Sequence, residues 1–182
     1  MELRLASPNE LPILESLARQ IWPQAYANII SPAQIDFMLN WMYSCETLQK
    51  QQTAGHEFYI LAREGQDIGF IALEWIDDAH AEFKRQLKIN KLYVLTDFQG
   101  KGAGRILIQK ANERAAATGC EAIFLQVNKV NPAKNFYLQL GFQVREEAVF
   151  DIGNGFVMDD YIMEVQLWAF LYLRKPKKIT HA

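Results

Sequence analysis

Residues 99 to 104, QGKGAG, pack three glycines into six positions after an apolar run and before a helical one. A chain that turns from a strand through glycines into a helix gathers successive N–H groups and a helix N-terminus around one small volume. Such a place suits an anion. Glycine also lets a ligand touch the main chain and permits positive φ. Lys101 adds charge at the rim, and Arg105, one turn later, can meet a phosphate. Two phosphate patterns are excluded by spacing. The lysine stands between the first two glycines with no Ser or Thr after it to hold magnesium, so GxxxxGK[ST] is absent; glycines two and two apart do not make GxGxxG. The bland alternative is a tight strand–helix connection that uses glycine for its backbone freedom alone.

A second stretch with chemical content is NKVNPAKNFYLQLGF, residues 128–142. Asn131 caps a predicted helix with Pro132 at its first position and Gly141 as its stop. Ala133, Phe136, Tyr137 and Leu140 share one face. Tyr137 is either a core aromatic or a phenol, with an ordinary pKa near 10, that can give a proton to a basic leaving group.

The elements that must carry these residues follow from periodicity. LRLA (3–6) reads as a first strand, and SPNE (7–10) as a helix start with Ser7 capping and Glu10 reciprocating. That helix runs to about residue 20. SPAQ (31–34) repeats the signature ahead of Ile35, Met38, Leu39 and Met42, and a weaker helix covers 45–53. EFYILAR (57–63) and IGFIALEW (68–75), joined by a turn at 64–67, form a hairpin. Residues 77–86 read as a loop or a hairpin end and KINKLYVL (88–95) as the next strand. A helix over 103–119 places Ala103, Ile106, Leu107, Ala111, Ala115 and Thr118 on one face, with Gly119 as terminator. AIFLQV (122–127), FQVREEAVF (142–150) and YIMEVQLWAF (161–170) complete the sheet, with DIGNGFVMDD between the last two. The expected fold is α+β: one domain with a mixed sheet flanked by helices and no internal repeat.

Composition narrows the function classes. A net charge of -2 argues against nucleic acid as the main partner. The two cysteines, Cys45 and Cys120, lack any zinc or disulfide spacing, so no metal is expected and both read as reduced thiols. The first twenty residues carry acids where a signal peptide needs an apolar core. VQLWAFLYL (165–173) falls well short of the roughly 20 residues that span a bilayer. A cytoplasmic protein without a membrane partner is the expectation.

Taken together, LYVLTDFQGKGAGRILI (92–108) and NKVNPAKNFYLQLGF (128–142) resemble the acetyl-CoA segment and the Asn…Ala…Tyr…Gly-Phe segment of the GCN5-related N-acetyltransferase (GNAT) family. The resemblance spans roughly residues 1 to 168 and implies the GNAT fold over residues 1–170, with a basic tail, 171–182, beyond it. It implies that backbone groups of Tyr93 and Val94 bond the acetyl carbonyl and the pantetheine arm. N–H groups of Gln99, Gly100, Lys101, Gly102, Ala103 and Gly104 would hold the pyrophosphate, with Arg105 near it. Asn131 and Lys134 would lie across the cofactor and Tyr137 beside the thioester sulfur. Strands four and five of the family splay, and the pantetheine enters the gap.

The expected reaction is therefore acetyl transfer from acetyl-CoA to a primary amine by direct attack. A fixed backbone N–H suits the tetrahedral oxyanion, and Tyr137 suits the departing thiolate. Glu74 is the first choice for the base, with Asp77, His80 or a water chain as alternatives. Cys120 reads as packing at a strand start. A catalytically weak acetyl-CoA-binding sensor is the alternative function.

For the acceptor, the first helices and late strands offer Tyr26, Tyr43 and Glu46 as a cation pocket, against a reading in which Trp22, Met38 and Trp41 simply pack on the sheet. Asp159 and Asp160 either attract a cationic acceptor or blunt a sheet edge. The region is also similar to bacterial polyamine-acting members of the family. Partners are then a small amine, including a polyamine, or a peptide amine. The basic tail reads as disordered or as a contact in a homodimer.

Overall fold

The computed structural model describes residues 1–167 of the 182-residue chain. The tail and the end of the last expected strand lie outside the described residues. The chain opens with β1 (Glu2–Leu5), α1 (Leu11–Ala25), α2 (Pro32–Tyr43) and α3 (Cys45–Thr53). Then come β2 (Glu57–Arg63), β3 (Gln66–Asp77) and β4 (Arg85–Val94), followed by α4 (Ala103–Thr118) and β5 (Ala122–Asn128). It ends with α5 (Ala133–Gln139), β6 (Gln143–Gly153) and β7 (Phe156–Gln166).

The capping signals hold at atomic level. Glu10 Oε2 accepts from the Ser7 N–H at 2.9 Å, closing the predicted box. Ser31 Oγ accepts from the Gln34 N–H at 3.2 Å. Helix α1 runs past residue 20, with Pro23 inside it, because Ile21 and Trp22 continue its buried stripe. Gly119 ends α4 with φ 72°. The Asn131 side chain accepts from the Ala133 N–H at 2.9 Å at the start of α5.

Among the described residues, seven strands lie in the order β1-β2-β3-β4-β5-β7-β6, and every neighbouring pair is antiparallel except β4–β5. Helices cover both faces. On one, Leu14, Leu17 and Ile21 of α1, Met38 and Leu39 of α2 and Leu48 of α3 pack on Phe58, Ile60, Phe70 and Ala72. On the other, Leu107, Ala111 and Ala115 of α4 pack on Ile71, Leu73, Leu87, Ile89 and Ile123. Burial on both sides explains why β3 reads as a continuous apolar run.

Two boundaries differ from the sequence reading. The stretch 151–160 is mostly strand, because Asn154 and Gly155, with φ 54° and 75°, make a two-residue turn that lets both flanks pair. β4 starts at Arg85 because Arg85, Gln86 and Leu87 pair with Asp77, Ile76 and Trp75. Trp41 is half exposed rather than packed on the sheet.

Candidate active site

The site begins with a break in the sheet. β4 pairs with β5 only over Gln86–Ile89 against Ala122–Leu125. Beyond that point β4 follows β3 as far as Val94, while β5 follows β7 as far as Asn128. The edge from Asn90 to Val94 therefore faces an opening instead of a strand. A residue inserted into β4 marks the start of this divergence: Leu73 pairs with Ile89 but Ala72 pairs with Lys91, leaving Asn90 as a bulge. Close approach on the other side holds the edge in place, since a Cβ on Gly69 would lie 2.5 Å from the Tyr93 carbonyl oxygen.

A cleft of about 430 Å³ fills the opening, bordered by Tyr93, Val94, Gln99, Gly100, Gly104, Asn131, Phe136 and Tyr137. Gln99 is engaged within the protein: its side chain donates to the Val94 carbonyl at 3.0 Å, tying the loop to the strand end, and its N–H, expected to hold pyrophosphate, donates to the Thr96 carbonyl at 3.1 Å. Gly102 has φ 88° and leads into α4. Among the described residues, none of the backbone N–H groups of residues 100–105 has an acceptor. Lys101 and Arg105 are exposed and form no ion pair with a described residue, although the Lys101 ammonium stands 5.8 Å from the Phe98 ring centre. A run of free donors beside two unpaired cations on a helix N-terminus fits a phosphorylated ligand.

Tyr137 borders the same cleft and is 7 % exposed. Its hydroxyl bonds to no other described residue, and burial raises its pKa, so it is neutral and free to donate. Lys134 is placed elsewhere: its ammonium lies over the Tyr161 ring at 3.9 Å, outside the cleft wall. Ala103 is buried under the loop.

Glu74 does not line the cleft. Its carboxylate accepts from the Asn90 amide at 2.9 Å and lies 3.7 Å from His56 Nε2. Through Asn90 this group connects to Lys91, which is 2 % exposed and donates to Asn90 at 2.8 Å and Gln51 at 2.9 Å. Burial drives the Lys91 pKa down to about 7, against the opposing pull of Glu74. Burial likewise lowers His56. Asp77 and His80 are exposed at the opposite end of β3, where β4 and β5 are still paired.

A second cavity, of about 120 Å³, opens on the α1–α2 side and is lined by Trp22, Tyr26, Met38, Met42, Lys88, Gln126, Asn128 and Asp160, among others. Tyr26, Asn90, Tyr93 and Gln126 border both cavities, so the two meet through the gap in the sheet. Trp22 stacks on Tyr26 at 4.4 Å, and the Tyr26 and Tyr93 hydroxyls lie 3.3 Å apart. Of the expected acceptor residues, Tyr26 is at the junction. Tyr43 is fully buried in the core, because its ring packs against Trp22 and Phe70, and Glu46 is on the surface, paired with Lys50 at 2.6 Å. Sequence reasoning missed Asn90, Gln126 and Asn128; their signal is a polar side chain at alternate positions of otherwise apolar strands. Cys120 is buried at the start of β5 as expected.

This architecture and site define a class, and the comparisons agree. The sequence profile of the acetyltransferase (GNAT) domain matches residues 54–144. An uncharacterised N-acetyltransferase of Lactobacillus delbrueckii subsp. lactis is 28% identical over 152 residues, covering 81% of this chain and 87% of that protein. A spermidine N(1)-acetyltransferase of Thermoplasma acidophilum is 26% identical over 165 residues, covering 87% of this chain and 96% of its own length. The crystal structure of the PaiA N-acetyltransferase of Thermoplasma acidophilum in complex with coenzyme A superposes with a TM-score of 0.73 at 26% identity, over 91% of this chain and 98% of that one. The chain belongs to the GNAT family and is an acetyl-CoA-dependent N-acetyltransferase. Among the described residues, no helix is long and apolar enough to cross a membrane.

Proposed function

We propose that this enzyme acetylates a small primary amine by direct attack on the thioester, with no covalent enzyme intermediate. The observation that carries the reading is the meeting of two cavities in the β4–β5 gap: one bordered by the glycine loop and Tyr137, the other by aromatic rings and a carboxylate. In this reading the free N–H groups of residues 100–105 hold the pyrophosphate of acetyl-CoA, assisted by Lys101 and Arg105. The unpaired edge at Tyr93 and Val94 bonds the pantetheine arm and the acetyl oxygen. Asn131 faces the arm from the turn before α5. A neutral amine adds to the thioester carbonyl, forming the C–N bond and a tetrahedral oxyanion; as this collapses the C–S bond breaks and the Tyr137 hydroxyl gives its proton to the departing sulfur. The amine's own proton leaves through water ordered by Asn90, with Glu74 behind it as the positioning and accepting group. A spermidine N(1)-acetyltransferase among the relatives supports a small amine, including a polyamine, as acceptor.

The test is a panel of amines, polyamines and peptides with acetyl-CoA, measuring free thiol, alongside thermal stabilisation by acetyl-CoA alone. Thiol release with a small amine supports the reading. Stabilisation without release for any amine points to a sensor, and preferential turnover of peptides overturns the small-amine assignment. In Glu74→Gln the rate should fall or the apparent pKa of activity should rise; an unaltered pH profile removes Glu74 from proton transfer.

A further inference from the structure

The second cavity contains a carboxylate that the protein itself does not satisfy. Asp160 is 3 % exposed, on β7 between Asn128 of β5 and Ala148 of β6. Neither of its oxygens makes a hydrogen bond or an ion pair with a described residue, yet it lines the cavity. Its neighbour Asp159 is taken up by Lys129 at 2.6 Å, and the same ammonium also serves Glu147 at 2.9 Å. The cation in the cavity wall, Lys88, stands across the β3–β4 register from Glu74 and forms no ion pair with Asp160. Of the carboxylates Glu147, Asp159 and Asp160, only Asp160 is left without a partner among the described residues.

A buried carboxylate without a partner is costly, and a ligand cation entering the cavity would supply the missing partner. The rest of the wall suits a cation. The stacked rings of Trp22 and Tyr26 and the nearby ring of Tyr93 present aromatic faces, and Met38 and Met42 supply an apolar, polarisable lining. A volume of about 120 Å³ admits a short alkylammonium arm and not a folded chain. The cavity meets the cofactor cleft at Tyr26 and Tyr93, so an arm held there has its other end at the gap.

Resting on the reading above, we propose that Asp160 binds a second positive charge on the acceptor, so that the enzyme prefers short diamines or polyamine ends to monoamines of equal length. One amine lies at the gap for acetylation while the next ammonium pairs with Asp160 against the aromatic wall. Burial and the like charge of Asp159 hold the Asp160 pKa up to about 6, so the carboxylate is ionised when the enzyme works at neutral or mildly alkaline pH.

The experiment compares 1,4-diaminobutane with n-butylamine, and the longer and shorter pairs of the same series, at about pH 8. Two readouts are taken: kcat/KM from thiol release, and the shift in Tm of the coenzyme A complex. The wild type should favour the best diamine by roughly 30-fold or more, the effect of one desolvated charge pair. In Asp160→Asn that preference should shrink to about 3-fold or less, and the diamine should lose its extra thermal shift. A wild type that treats the pairs alike overturns the proposal without need of any variant. An Asp160→Asn protein that keeps the diamine preference overturns it as well. If no amine is turned over, the proposed function fails, while the thermal shifts still decide whether Asp160 holds the second charge.

Discussion

Replacing Lys91 by methionine leaves an unbranched side chain of similar length and removes the buried ammonium. In the folded protein Lys91 is 2 % exposed and its pKa is held down to about 7, chiefly by burial. An unfolded lysine titrates near 10.4. Between these two values the unfolded chain carries a proton that the folded chain lacks, so stability rises with pH. The cost of burying the charge is fully present below pH 7 and is relieved as pH climbs toward 10. The slope reaches at most about 1.4 kcal/mol per pH unit, and integration from pH 7 to 9 gives a gain of roughly 2 kcal/mol. For a chain of this size that is about 4–8 °C in Tm. Other shifted groups leave the window open. Asp160, raised to about 6, loses its contribution as pH rises through 4 to 6 and is flat above; His56, lowered, acts only below its ordinary range. The buried tyrosines 26, 43, 93 and 137, all raised, destabilise only where unfolded phenols ionise, near pH 10 and above. Cys45, raised by its bond to Glu15, contributes equally to both proteins. Thermal or urea unfolding of wild type and Lys91→Met across pH 7–9 should show a rising curve for the first and a nearly flat one for the second. Parallel curves would refute the argument that this amine is buried at the cost of its charge.

Tyr137→Phe should lower kcat by about 10²–10⁴ while leaving acetyl-CoA affinity and Tm nearly unchanged, since the hydroxyl has no partner among the described residues. An equal loss of affinity would make it a packing residue. Gly102→Val forces a β-branched side chain to φ 88° and should raise the acetyl-CoA dissociation constant by about 10-fold or more; an unchanged constant removes the loop from the site. Gly69→Ala places a Cβ 2.5 Å from the Tyr93 carbonyl oxygen, so β4 must shift. Stability should fall by about 1–3 kcal/mol together with kcat/KM, and normal kinetics would show that the edge at Tyr93 tolerates displacement.

What could be read from the chain was whatever local chemistry decides. Ser7 with Glu10 opened a helix because a carboxylate three residues on accepts from both the N–H and the hydroxyl of the capping serine. Gly100 and Gly102 marked the loop because their φ values, 70° and 88°, are ones that side chains avoid. Tyr137 could be paired with that loop only through the family resemblance, since 33 residues separate it from Gly104. Asp160 was visible as a charge, but its lack of a partner depends on Lys129 being drawn to Asp159 and Glu147, which no local pattern encodes.

The deeper loss was one of phase. Strict alternation along β4 puts Leu87, Ile89, Lys91 and Tyr93 on one face, with two polar tips against α4. The bulge at Asn90 reverses the phase: Leu92 and Val94 continue the α4 face begun by Leu87 and Ile89, whereas Lys91 and Tyr93 turn to α2 and α3 beside Lys88 and Asn90. The sequence did carry a trace of this, since KINKLYV sets Asn90 and Lys91 side by side where the alternation begun by Lys88 and Ile89 allows one polar residue. A single inserted residue thus brings Asn90 and Tyr93 to the junction of the cavities, delivers Lys91 to its buried position, and coincides with the place where β4 leaves β5. Deleting Asn90 should restore strict alternation. The outcome expected is loss of acetyl-CoA-dependent thermal stabilisation in a protein that still folds around its two cores, and retained stabilisation would show that the gap does not depend on the bulge.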